Sequence, residues 1–171
     1  MRGTVLVTHT EKEGNEMSQK TNTIATLNEL IQMHHDRIEG YKLASRVLKE
    51  EDKQMIPLFE NCCEESRNYI AQLAEMVWQL DGKTTLRTSF SGKLFRFWMQ
   101  LKTNLLHQNR ATIIGLCLFG EYALQKAYET VQNRADGLLE DAATLITNQQ
   151  TILKRNYHIQ KETYHQPFMV A

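Results

Sequence analysis

Only two prolines (Pro57 and Pro167) and eight glycines stand in this 171-residue chain, so few positions force the backbone out of a helix. Three cysteines are present (Cys62, Cys63 and Cys117), an odd number without the paired spacing of a zinc site. They read as free buried thiols in a reducing cytoplasm, because neighbouring cysteines rarely pair with each other. Charge of one sign is also lacking: 20 basic residues balance 20 acidic ones, which gives no general attraction to a polyanion, and no nucleic-acid partner is expected. No apolar run reaches the roughly 18 residues of a membrane span, and Thr4-Val5-Leu6-Val7 is too short for the core of a signal peptide. Glycine-rich phosphate loops and nucleophile elbows are absent as well. Together these absences predict a soluble, cytoplasmic, all-α protein with no transmembrane segment.

What is present is helical periodicity. Residues 27–48 place Leu27, Leu30, Ile31, His34, Ile38, Tyr41, Ser45 and Leu48 three and four apart, on one face of a helix. Thr23 or Thr26 is the expected cap, the latter with Glu29 in a capping box. Residues 1–22 lack the pattern and read as a flexible arm, within which Met17 is an alternative translation start. After the charged run 49–53, a second helix starts between Asp52 and Pro57. It carries Phe59, Cys62, Cys63, Ser66, Ile70, Leu73, Val77 and Leu80 inward and stops at Asp81-Gly82.

A third helix over residues 110–133 presents Ile113, Leu116, Cys117, Gly120, Leu124, Ala127 and Val131. A fourth over residues 136–164 presents Leu138, Ala142, Leu145, Gln149, Ile152, Asn156 and Thr163. Residues 165–171 read as a frayed tail. The first two helices, and the last two, have short links, whereas nearly thirty residues separate the second from the third. A link of that length can run along a bundle and return. The predicted fold is a ferritin-like four-helix bundle over residues 23–164, with one long crossover containing a short helix capped by Ser91.

The runs Leu27-Asn28-Glu29-Leu30-Ile31 and Asp36-Arg37-Ile38-Glu39-Gly40-Tyr41 sit in the first helix. They are followed by Leu58-Phe59, Glu64-Glu65-Ser66-Arg67, Ser91-Gly92 with Trp98, and Gly120-Glu121 with Lys126-Ala127-Tyr128-Glu129. On these residues the chain resembles a bacterial ferritin-like four-helix-bundle family of unknown function, distantly similar to ferritins and rubrerythrins. The resemblance spans residues 24–163 and implies the fold rather than a chemistry. It also carries the expectation of a self-associating structural or stress-related interaction protein without enzymatic activity.

A di-iron carboxylate centre in such a bundle takes single glutamates from two helices and Glu-x-x-His pairs from the other two. This chain offers Glu39, Glu64 or Glu65, and Glu121, with His34 or His35. Arg67 and Asn68 stand where histidines would follow the second-helix acids, and Gln149 and Gln150 occupy the middle of the fourth helix. The expectation is therefore no catalytic, cofactor or metal residue, with an iron or manganese oxidoreductase or iron-binding protein as the alternative. His34 reads as a core histidine that is satisfied by hydrogen bonds in polar layers with Tyr41, Ser45, Ser66, Gln149 and Asn156. Gly120 reads as a site of close helix approach.

A second alternative lies in the crossover. Residues 83–110 hold Lys83, Arg87, Lys93, Arg96, Lys102 and Arg110 with no acid, interleaved with Phe90, Phe95, Phe97 and Trp98. Peripheral contact of residues 93–106 with a membrane or another anionic polymer suits that composition. Packing of the aromatic face onto the bundle suits it better, since residues 39–81 carry nine acids against five bases.

Overall fold

The computed structural model describes residues 4–84, 109–134 and 137–165. Four helices make up the described part: α1 (Thr4–Val47), α2 (Ile56–Gln79), α3 (Arg110–Gln132) and α4 (Glu140–His165). A 3-10 turn at Glu50–Met55 precedes α2, and no strand occurs among the described residues. The expected crossover helix, its Ser91 cap and residues 93–106 lie outside the described residues, as do residues 166–171.

Contacts along the helices define the topology. Lys20 meets Asp81 and His34 meets Ser66, so α1 and α2 run antiparallel. His34 meets Tyr128 while Arg37 meets Glu121, which makes α1 and α3 antiparallel too. Gln72 meets Gln149 and Glu65 meets Asn156, so α4 opposes α2. It follows that α2 and α3 point the same way, with the end of the one and the start of the other at opposite ends of the bundle, as in ferritin-like bundles with a single long crossover.

Differences from the sequence reading gather at the N-terminus. Residues 4–22, expected as a flexible arm, belong to α1, a helix of 44 residues. Thr23 and Thr26 therefore cap nothing. Thr23 is fully buried inside α1, where its hydroxyl donates to the Gln19 carbonyl and accepts the Leu139 amide from the α3–α4 loop. Two more α1 side chains hold that loop, Gln19 through the Leu138 carbonyl (2.8 Å) and Asn22 through the Gly137 carbonyl (2.9 Å). Helix α1 thus engages the rest of the fold from Gln19 onward, upstream of the expected cap.

The helix ends follow local chemistry. Pro57 occupies the first turn of α2, where no amide is needed, and Asn109 caps α3 by accepting the Thr112 amide at 3.0 Å. The end of α2 is a Schellman motif: the Gly82 amide bonds the Val77 carbonyl and the Asp81 amide bonds the Trp78 carbonyl, each at 2.9 Å. Asp81, not the glycine, takes the left-handed conformation (φ 54°). Gly82 sits in a tight space, because a Cβ there would stand 3.0 Å from Ile24 Cγ2 and from Val77.

Two apolar clusters fill the interior. One gathers Leu27, Leu30, Ile31, Tyr69, Leu73, Val77, Leu124, Tyr128, Val131, Leu138, Ile146 and Leu153. The other gathers Ile38, Tyr41, Leu48, Met55, Phe59, Cys62, Cys63, Ile113, Cys117 and Tyr164. On every helix the boundary between the clusters falls at polar residues: His34 and Arg37 on α1, Glu65 and Ser66 on α2, Glu121 on α3, and Asn156 and Gln160 on α4. A polar layer therefore crosses the bundle between two apolar clusters.

Candidate functional site

Arg37 is the centre of this layer. Its side chain is only 4% exposed, and its guanidinium joins three helices. Nε donates to Glu121 Oε1 at 2.6 Å, Nη1 donates to the Cys62 carbonyl at 3.1 Å and Ser66 Oγ at 2.9 Å, and Nη2 lies 2.8 Å from Glu65 Oε2. The Nη2–Glu65 approach is an ion-pair contact without hydrogen-bond alignment, since Nη2 makes no hydrogen bond. The planar fork of arginine suits such a position, because one fixed cation can face several acceptors at once. Burial works against the charge, but the Glu121 carboxylate, with smaller contributions from Tyr41 and Cys62, outweighs it and holds Arg37 well above its ordinary pKa.

Glu121 is 1% exposed and also accepts the Tyr41 hydroxyl at 2.7 Å. Burial, followed by the Glu121 charge, pushes Tyr41 well up, so it stays a protonated donor. Glu65 is 19% exposed and accepts from Asn156 Nδ2. One guanidinium therefore faces two carboxylates, and the partly exposed Glu65 carries the excess negative charge where water can reach it.

A second chain of bonds leaves Arg37 through Ser66, and its direction is determined. Tyr128 gives its only proton to Gln149 Oε1 (2.8 Å), so His34 Nε2, 2.8 Å from the Tyr128 oxygen, must be the donor there. Nδ1 then accepts from the Ser66 hydroxyl at 3.4 Å, while the Ser66 oxygen accepts from Arg37. Gln149 Nε2 passes the chain on to Gln72 Oε1 at 2.9 Å. Each group donates to the next from Arg37 to Gln72, and His34 is neutral with its proton on Nε2. Burial, with the Arg37 and His35 charges, drives its pKa well below the usual value. Neither ring nitrogen has a free lone pair for a ligand.

The polar residues expected inside arrive there in part. His34, Tyr41, Ser66 and Gln149 are buried in the layer, and the half-buried Asn156 joins it through Glu65. Ser45 does not: it bonds back to the Tyr41 carbonyl of its own helix. Glu39 is exposed on Lys42 and Glu64 is exposed on Arg67. His35 is partly buried beside the layer. The close approach expected at Gly120 is absent, since a Cβ there would meet nothing within 4 Å.

The Asp36-Arg37 pair was missed. The sequence reading quotes it only among the residues of the family resemblance and gives it no place in the interior, yet Asp36 is 2% and Arg37 6% exposed. A signal existed, because Leu30, His34, Arg37 and Tyr41 follow the alternating three- and four-residue spacing of a helix seam.

No activated nucleophile occurs in the layer. Burial pushes the Cys62 thiol up to about 12 and Cys117 well above the ordinary thiol value, so neither supplies thiolate near neutrality.

Comparison with known proteins gives a family and a fold. A family model described as "Domain of unknown function (DUF2383)" matches residues 22–134. Among solved structures, a crystal structure titled as ferritin-like, diiron-carboxylate proteins from Bacillus anthracis str. Ames is similar at 18% identity. Its TM-score is 0.63, covering 86% of this chain and 98% of that one. None of the curated proteins compared matches the chain.

The neighbour's title implies a pair of irons, and the residues here do not fit them. Glu65 and Glu121, the carboxylates nearest to such an arrangement, are already joined by the Arg37 guanidinium, and His34 has no lone pair to give. Among the described residues no group of three or more His, Cys, Asp or Glu side chains could hold a metal ion. The family match covers more than half of the chain, and the fold agrees with it: this protein belongs to the DUF2383 family and has a ferritin-like four-helix bundle.

Proposed function

We propose that this chain is a non-enzymatic ferritin-like bundle that works as a self-associating structural or stress-related interaction protein of the cytoplasm. The observation that carries this reading is Arg37. A fixed cation between Glu65 and Glu121 supplies the positive charge that a metal would otherwise bring, and it cannot leave or change oxidation state. Self-association draws support from Trp78, 77% exposed, and Met17, 73% exposed, which each stand about a turn before the Asp81–Lys20 pair at one end of the bundle. No described helix is long and apolar enough to cross a membrane.

Anaerobic titration with Fe(II), followed by desalting and elemental analysis, tests the reading. The expected result is iron and manganese far below one ion per chain. Two ions per chain with a ferroxidase-type oxidation rate would replace it with the metalloprotein alternative.

A further inference from the structure

Between α1 and α3 lies a cavity of about 10 Å³, lined by Arg37, Gly40, Tyr41, Cys117, Gly120 and Glu121. Gly120 contributes to the space, since no atom beyond its chain neighbours and its own helix backbone lies within 4 Å of where its Cβ would be. Among the buried side-chain atoms without a hydrogen-bond partner are Arg37 Nη2, a donor, and Glu121 Oε2, an acceptor. Both belong to residues that line this cavity. None of the other unpartnered side chains (Asp36, Gln125, Gln150 and Tyr164) lines it.

A buried carboxylate oxygen left without a partner is costly, and about 10–15 Å³ of accessible volume with two or more polar partners is what one buried water needs. We propose that this cavity is a binding site for a single neutral water molecule, which accepts from the Arg37 guanidinium and donates to Glu121 Oε2. A cation is disfavoured there, because it would need several oxygen ligands and would stand beside the positive guanidinium, whereas water can serve a donor and an acceptor together. The water completes the polar layer: Glu121 then has Oε1 held by Arg37 and Tyr41, and Oε2 solvated from inside.

The test uses the full chain. A high-resolution crystal structure should show one peak within hydrogen-bond distance of Glu121 Oε2 that refines as oxygen. An empty cavity, or an anomalous peak after soaking with Mn(II), overturns the proposal. Thermal unfolding gives an independent reading by pairing Gly120→Ala with Gly115→Ala, a position that is exposed on the same helix and equally open. Gly115→Ala should raise the midpoint by about 2–4 °C through helix propensity alone. Gly120→Ala gains the same propensity but adds a methyl to the wall of this small cavity and crowds the water, so its midpoint should fall below that of Gly115→Ala. Equal gains in the two variants would mean that the cavity is dry.

Discussion

Replacing Arg37 by methionine removes the cation from between Glu65 and Glu121 while keeping most of the side-chain volume. Glu121, 1% exposed, then has Tyr41 as its remaining side-chain donor, and the Cys62 carbonyl and Ser66 hydroxyl lose their arginine bonds. Breaking a buried pair by deleting one partner costs about 3–5 kcal/mol, a large part of a typical domain's ~5–15 kcal/mol. For a chain of this size each kcal/mol moves the midpoint by about 2–4 °C, so Arg37→Met should melt about 6–20 °C lower. The double variant Arg37→Met/Glu121→Met removes the stranded charge as well. Glu65 keeps Asn156, Tyr69 and its partial contact with solvent, so the double variant should recover most of the loss. Arg37→Lys should recover little, because an ammonium cannot face Glu65, Glu121, Ser66 and Cys62 together. Urea unfolding of the wild type and these three variants measures the differences. An Arg37→Met cost below about 0.5 kcal/mol, within the ordinary range of surface substitutions, would refute the reasoning, as would a double variant no more stable than the single one.

Other outcomes follow from the same layer. His34 is held neutral in the fold with its pKa below the unfolded value near 6.5, so the unfolded chain binds more protons in acid. Stability should therefore fall as pH drops from about 6.5 towards the folded pKa, and His34→Gln should flatten this limb in urea titrations. Asp36 acts in the opposite sense: burial pushes it up to about 6, so its contribution to stability declines as pH rises from about 4 through 6. Asp36→Asn should accordingly help more at pH 8 than at pH 4, and a reversed order would count against a buried, poorly partnered carboxylate. The three cysteines are buried and their pKa values raised, so a thiol reagent should label the native protein slowly and all three thiols promptly in denaturant; rapid native labelling would contradict the packing.

The apolar half of the fold was legible because it follows helical spacing. Leu27, Leu30, Ile31, Ile38 and Tyr41 on α1, Leu48 just past its end, and Phe59, Cys62, Cys63, Leu73 and Val77 on α2, are all buried where their periodicity places them. On α4 the reading drifts: Leu153 turns in while Ile152 is 40% exposed, because a stripe counted in whole steps slips against 3.6 residues per turn. The α1 start was missed because capping signals at Thr23 and Thr26 count only where a helix ends, and no proline stands upstream of them to end it.

The candidate site was half legible. His34, Ser66, Gln149 and Glu121 carried a polar-in-apolar pattern, whereas an arginine beside an aspartate looks like surface until the carboxylates that neutralise it come from other helices. Glu65 and Glu121 are 28 and 84 positions from Arg37, and helix periodicity alone does not pair residues across helices.

Anomalous diffraction at the iron edge, from crystals reconstituted anaerobically with Fe(II), bears most directly on the claim that a guanidinium holds this centre. The account predicts no iron peak between Glu65 and Glu121 and an Arg37 side chain still within hydrogen-bond distance of both. An iron peak bridging the two carboxylates, with Arg37 displaced from between them, would contradict it.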